Sequence, residues 1–244
     1  MGTSWAICKR ELRAYFTTPL AYVFIVIFVA LNGATAFYFG GLFDRGQADL
    51  VPLFSFLPWL YLFLIPAVAM RLWAEERKSG TLELIMTLPV STTQAVFGKF
   101  LAAWIFAGIA LALTFPIWIT VNYLGDPDNG VIVASYVGGL LLAGSYLAIG
   151  GFVSAMTRSQ VIAFVIGASV IFLFMMSSLE LVLSAFQSWA PQLIVDLVQS
   201  LSFLAHYDAI VRGVIDLRDL IFYLSVMGVF LFANVVVVDL KKGA

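Results

Sequence analysis

Apolar residues gather into six long runs, and charged residues fall almost entirely in the gaps between them. The runs cover about 20–40, 53–70, 100–121, 131–156, 161–179 and 220–240. Each holds roughly 18–26 mostly apolar residues, enough for a helix rising ~1.5 Å per residue to cross a bilayer core. The pattern predicts an all-α, polytopic membrane protein with six transmembrane helices in one domain, 1–244. Pro58, Pro66 and Pro116 lie inside runs and predict kinks, which membrane helices tolerate when neighbours satisfy the freed carbonyls. Gly138, Gly139, Gly144, Gly150 and Gly151 in the fourth run predict close helix packing, within the chain rather than at a dimer seam.

Ahead of the first run, residues 3–17 read as an amphipathic helix. Trp5, Cys8, Leu12, Tyr15 and Phe16 share one face, while Lys9, Arg10 and Arg13 fall elsewhere. Such a helix lies in the headgroup layer, as an anchor, a partner contact or both. No secretory leader is expected, because this segment has no continuous apolar core. Basic residues then set the orientation. With both termini in the cytoplasm, Lys9, Arg10, Arg13, Arg71, Arg77, Lys78, Lys99, Arg158, Lys241 and Lys242 face inward, and only Arg45, Arg212 and Arg218 face outward.

Composition agrees with lipid as the solvent. Of 244 residues, 62% are hydrophobic and 11% charged, too few charges to cover a water-facing surface. The net charge of −1 gives no bulk attraction to nucleic acid, so no nucleic-acid partner is expected. The single cysteine, Cys8, excludes an intrachain disulfide and a cysteine metal cluster. Ionisable groups are nearly absent from the runs, which argues against a proton-coupled carrier. Asn32, Thr35, Thr114, Thr120, Asn122, Ser135, Ser145, Ser169, Ser177 and Asn234 are expected to hydrogen-bond between helices.

The inner gap, 71–99, carries the most specific pattern. Glu75, Glu76, Arg77 and Lys78 form a mixed-sign cluster, and Gly80 permits a sharp turn. Thr81 suits the N-cap of a short helix through 82–87, with Glu83 in its positive first turn. Leu82, Ile85 and Met86 share a face. Pro89 stops that helix, and Ser91 with Gln94 has the capping-box spacing that opens the next. The expected product is a stubby, partly apolar helix exposed at the membrane surface, the kind of face that takes a protein partner.

The run Glu76-Arg-Lys-Ser-Gly-Thr-Leu-Glu-Leu-Ile-Met-Thr-Leu-Pro-Val-Ser91 resembles the loop between the second and third spans of type-2 ABC exporter permeases. The likeness extends over the chain, through the opening Thr17-Thr-Pro-Leu-Ala-Tyr-Val-Phe24 and the stretch His206-Tyr-Asp-Ala-Ile-Val-Arg-Gly-Val-Ile-Asp-Leu-Arg-Asp219. The latter is similar to the subgroup of gliding-motility and nitrous-oxide-reductase-maturation permeases. The resemblance implies that 75–88 is a coupling loop seated on a separate ATPase subunit, present in two copies. It also implies a second permease copy or paralogue, residence in the bacterial inner membrane, and an outer gate in 180–219. ATP and magnesium would sit on the ATPase. This chain has no G-x-x-x-x-G-K-[ST] loop, and no cofactor or metal of its own is expected.

In the outer gap, Glu180, His206, Asp208, Arg212 and Asp216 stand among apolar stretches that suggest short helices dipping into the leaflet. Asp208 and Arg212 have the spacing of a helix-face ion pair. His206 near carboxylates admits a proton site, a metal site or a structural role, and too few further ligands lie nearby for a metal. Two functions stay in view: an ATP-driven exporter subunit, and an ATP-driven mechanical or maturation factor acting on an outer-side accessory protein without bulk transport. An intramembrane enzyme would need a nucleophile–base or metal constellation that the sequence lacks.

Overall fold

The computed structural model describes residues 2–80, 90–187 and 191–241, and among these every regular element is helical. The first helix, α1 (Gly2–Thr17), ends where Thr18 turns extended and Pro19 begins α2 (Pro19–Ala34). Proline at this position gives up an amide that would have no partner anyway. A π-helical turn, Thr35–Phe39, closes this first crossing. Gly40 follows because the chain presses against Pro52 there; a Cβ would lie 2.4 Å from the proline Cβ.

The second crossing is built in pieces. A short α3 (Val51–Ser55) breaks at Phe56, and Pro58 sits in the first turn of α4 (Leu57–Ala69). After a turn, α5 (Ala74–Ser79) continues until Gly80, whose φ of +71° ends it in the left-handed region. The expected short helix with Thr81, Leu82, Glu83, Ile85 and Met86 lies outside the described residues, as does Lys242. The chain re-enters at Ser91. There the capping box is complete: Gln94 N donates to Ser91 Oγ (3.3 Å) and Ser91 N to Gln94 Oε1 (3.2 Å). It opens α6 (Thr92–Ala112). Thr114 interrupts, and Pro116 helps start α7 (Phe115–Leu124).

The axis of the molecule is α8 (Asn129–Met156), capped by Asp128, which accepts from Gly130 N and Val131 N. It packs against α4, α6, α9 (Gln160–Met176), α12 (Phe203–Val211) and α13 (Leu217–Leu240). Two of its glycines explain how neighbours come so close. A Cβ on Gly150 would lie 2.5 Å from Ala69 Cβ, and one on Gly138 2.8 Å from Ile210 Cγ2. The small-residue pattern thus serves packing within the chain. At 17 residues, α9 is near the lower limit for a crossing.

Between α9 and α13 lie α10 (Glu180–Gln187), α11 (Gln192–Ser200) and α12. α11 and α12 bend by 56° across Leu201–Ser202, which makes the pair a broken span or a re-entrant loop. α12 is a buried wedge rather than a surface helix: Phe203, His206, Tyr207, Ile210 and Val211 are all buried. Tyr207 donates to Phe54 O (3.2 Å), and Tyr223 donates to Phe203 O (3.1 Å).

The small hydroxyls meet the expectation of bonds between helices only in part. Thr35, Thr120, Ser169 and Ser177 donate to carbonyls of their own turn, at 2.8–3.0 Å. Others also reach a neighbouring helix: Thr114 meets Tyr136 Oη at 2.9 Å, and Ser135 and Ser145 approach Val211 O and Tyr223 O at 3.4 Å. A carbonyl one turn back is always within reach of a helical Ser or Thr, so the local bond wins.

Candidate coupling end and outer gate

α1, α5, the start of α6 and the close of α8 and α13 meet at one end of the bundle, here called the basic end. Its centre is Lys99, about two turns into α6 and only 4% exposed. A buried ammonium is costly unless paired. Lys99 Nζ lies 2.6 Å from Glu76 Oε1 on α5 and 3.4 Å from Glu11 Oε2 on α1. It also stands 5.4 Å from the ring centre of buried Trp73. One side chain therefore joins three elements. Burial pushes the Glu11 carboxyl upward, but Lys99 and the 2.7 Å bond from Arg10 outweigh it and hold the group below its ordinary value.

The bend into α5 is stitched to α8. Ser154 Oγ accepts from Trp73 N (3.1 Å) and Ala74 N (3.0 Å) and donates to Met70 O (2.9 Å). Those amides and that carbonyl are left over by the break after α4. Arg77 donates to Ala155 O (2.9 Å) and Lys241 to Met156 O (2.7 Å), two cations on the negative end of α8. Glu75 turns outward and pairs with Arg71 at 3.2 Å. Of the expected coupling residues, then, Glu75 lies at the surface, while Glu76 and Arg77 are committed to the protein itself. Gly80 provides the turn into the segment beyond.

α1 lies along α6, with its Cys8 buried and Tyr15 stacked on Phe106 at 5.0 Å between ring centres. Lys9, Arg10 and Arg13 are exposed. So is Trp5 (54%), which the helical pattern groups with the covered face; Ser4 and Ile7 take that place, because Gly98 lets α6 approach them.

At the opposite end, Glu180 begins α10 and is exposed; Asp208 and Arg212 form an exposed pair at 2.6 Å. Asp216 caps α13 by accepting from Arg218 N. His206 does not join them. It is buried, stacks on Phe222 at 4.1 Å, and meets Asp219 Oδ1 at 2.5 Å through Nδ1. Its Nε2 faces Ser200 O at 3.0 Å. A carbonyl can only accept, so at Ser200 O the imidazole is the donor. The pair clamps α11, α12 and α13 together. Among the described residues, no group of three or more His, Cys, Asp or Glu is arranged to hold a metal.

Sequence reasoning passed over Glu11, Trp73, Ser154 and Asp219, and used Lys99 only for orientation. A clue existed for Lys99: a cation inside the first turns of an apolar run must find a counter-charge. Nothing comparable marks Ser154.

Among the described residues the ion pairs lie at two ends of an all-helical bundle with five stretches long and apolar enough to cross a membrane, or six if the bent α11–α12 pair is one span, which defines a multi-pass membrane protein. Over residues 5–238 the chain matches the family described as ABC-2 family transporter protein, and it belongs to that family. It is accordingly a permease component of an ABC transporter, a transport subunit whose family works with an ABC ATPase. A search of curated proteins finds no match.

Proposed function

We propose that this chain is the permease subunit of an ATP-driven exporter in the bacterial inner membrane, with both termini cytoplasmic. Two copies, or one copy and a paralogue, would pair with two ATPases carrying ATP and magnesium. The ATPase would seat on residues 75–88, the segment that turns at Gly80, and its closure would rock the two bundles so that cargo leaves along the seam between them. The sparse charge of the spans suits an amphiphilic or hydrophobic cargo.

The observation that carries this reading is the buried Lys99, which ties Glu76, at the root of the coupling segment, to the third crossing and to α1. A push received beyond Gly80 meets no slack: α5 is bonded to α8 through Ser154 and Arg77, and to α6 and α1 through Lys99. Co-purification with the ATPase encoded beside this chain, followed by ATPase assay in lipid discs, tests the proposal. Because Glu76 is tied to buried Lys99, the test uses Glu83→Lys, which is expected to leave the complex assembled but uncoupled. Normal cargo-stimulated hydrolysis in that variant would refute the assignment. The mechanical alternative is met by crosslinking from exposed Asp208: capture of one envelope protein in stoichiometric yield, with no cargo movement, would favour it.

A further inference from the structure

Two cavities at the basic end share a wall. The first is a charged cleft of about 260 Å³ lined by Glu11, Glu75, Glu76, Arg71 and Lys99. The second is an apolar groove of about 200 Å³ between α2 and α4, lined by Leu20, Val23, Phe24, Ile27, Leu64 and Val68. Tyr15, Thr18 and Arg71 border both. The groove follows α2 from Leu20 to Ile27, about 10 Å at ~1.5 Å per residue, which takes it into the acyl region of one leaflet while the cleft stays at headgroup level.

We infer that the joined cavities bind a phospholipid with a primary-amine headgroup, drawn from the leaflet that borders α1. The charges select the head. Glu11, Glu75 and Glu76 face Arg71 and Lys99, with Arg10 bonded to the outer side of Glu11, so the set is balanced and suits a zwitterion rather than a net anion. The donors select its orientation. Among the described residues Arg71 is ion-paired only through Nε, with Glu75, which leaves its terminal nitrogens for a phosphodiester at the shared wall. The Tyr15 hydroxyl makes no hydrogen bond to the described residues and adds a second donor at that level. An ammonium beyond the phosphate then meets the half-exposed carboxylate of Glu75, and one acyl chain lies in the groove. A choline head carries the charge but no N–H, and a glycerol head carries neither. The inference is independent of how the ATPase couples.

The purified full-length chain, stripped of lipid in maltoside micelles, is titrated with dioleoyl phosphatidylethanolamine, phosphatidylcholine or phosphatidylglycerol. Retained adducts are counted by native mass spectrometry, and melting temperature is followed in parallel. Phosphatidylethanolamine is expected to bind most tightly and to raise the melting temperature. Arg71→Gln should weaken it about tenfold, the effect of losing one charge-assisted hydrogen bond. Ala67→Phe fills the groove without touching the charged set and should abolish binding on its own, which keeps the test valid if Arg71→Gln folds poorly. Equal binding of the three lipids, or wild-type binding by Ala67→Phe, would overturn the inference.

Discussion

Among single residues, Lys99 carries the most structural consequence, and its environment dictates what its loss does. Two carboxylates converge on one buried ammonium; removing the cation strands Glu76 and leaves Glu11 with Arg10 alone. Breaking a buried pair from one side costs about 3–5 kcal/mol, whereas replacing both partners by groups of like shape can be nearly neutral. Lys99→Met is therefore expected to lower the melting temperature of the purified chain sharply, and Lys99→Met with Glu76→Gln to recover part of the loss; equal melting of the single variant and wild type would show that the pair is idle. Glu11 supplies the pH signature of the same cluster. Its carboxyl is held below its ordinary value, so the folded state prefers it ionised. The resulting stability is fully present above the ordinary carboxylate range and drains away as pH falls through the lowered value. Melting of wild type should decline over that acid interval more steeply than melting of Glu11→Gln, and parallel curves would assign the acid loss to other groups.

For whole elements, legibility divides along a physical line. Features set by local chemistry can be read from the chain: the Ser91–Gln94 box, the Gly80 turn and the Asp208–Arg212 pair all follow from residues a few positions apart. Features that need a partner from far along the chain cannot. His206 suggests nearby carboxylates as partners, yet the fold turns it to Asp219, because α12 is driven into the core and only the start of α13 lies within reach. Likewise the periodicity of α1 groups Trp5 with its covered face, but which face is covered depends on Gly98, on another helix. That contact makes a sharp prediction. A Cβ at Gly98 would stand 2.8 Å from Ile7 Cβ and 2.9 Å from Ser4 O, so Gly98→Leu must lift α1 away. Cys8, the only cysteine, reports it. In the native chain the thiol is buried, and burial pushes its ionisation upward, so maleimide should react slowly. Gly98→Leu should speed the reaction by at least an order of magnitude without unfolding the bundle. Unchanged labelling would mean that α1 is held by contacts other than this one.

For the molecule as a whole, the six-run pattern carries most of the architecture, because lipid leaves helices few alternatives. What it conceals is the inequality of the runs: α8 is packed on nearly every side, α2 shows much of its surface, and α12 reaches into the bundle without being one of the runs at all. The alternation of ends is nevertheless coherent. Asp49, Asp128 and Val211 line one small cavity, which brings the loops before α3 and α8 and the end of α12 to a common end. Arg77 and Lys241 meet the carbonyls of Ala155 and Met156 at the other. The basic residues concentrate at this second end, and basic loops stay in the cytoplasm. On a Cys8→Ser background, Asp44→Cys and Asp126→Cys should therefore react with a membrane-impermeant maleimide added to intact cells, while Lys78→Cys and Arg158→Cys react only after the membrane is opened; all four positions are exposed in the fold. The reverse pattern would leave the bundle intact but put residues 75–88 on the side without ATP. The same fold would then have to be driven from somewhere else.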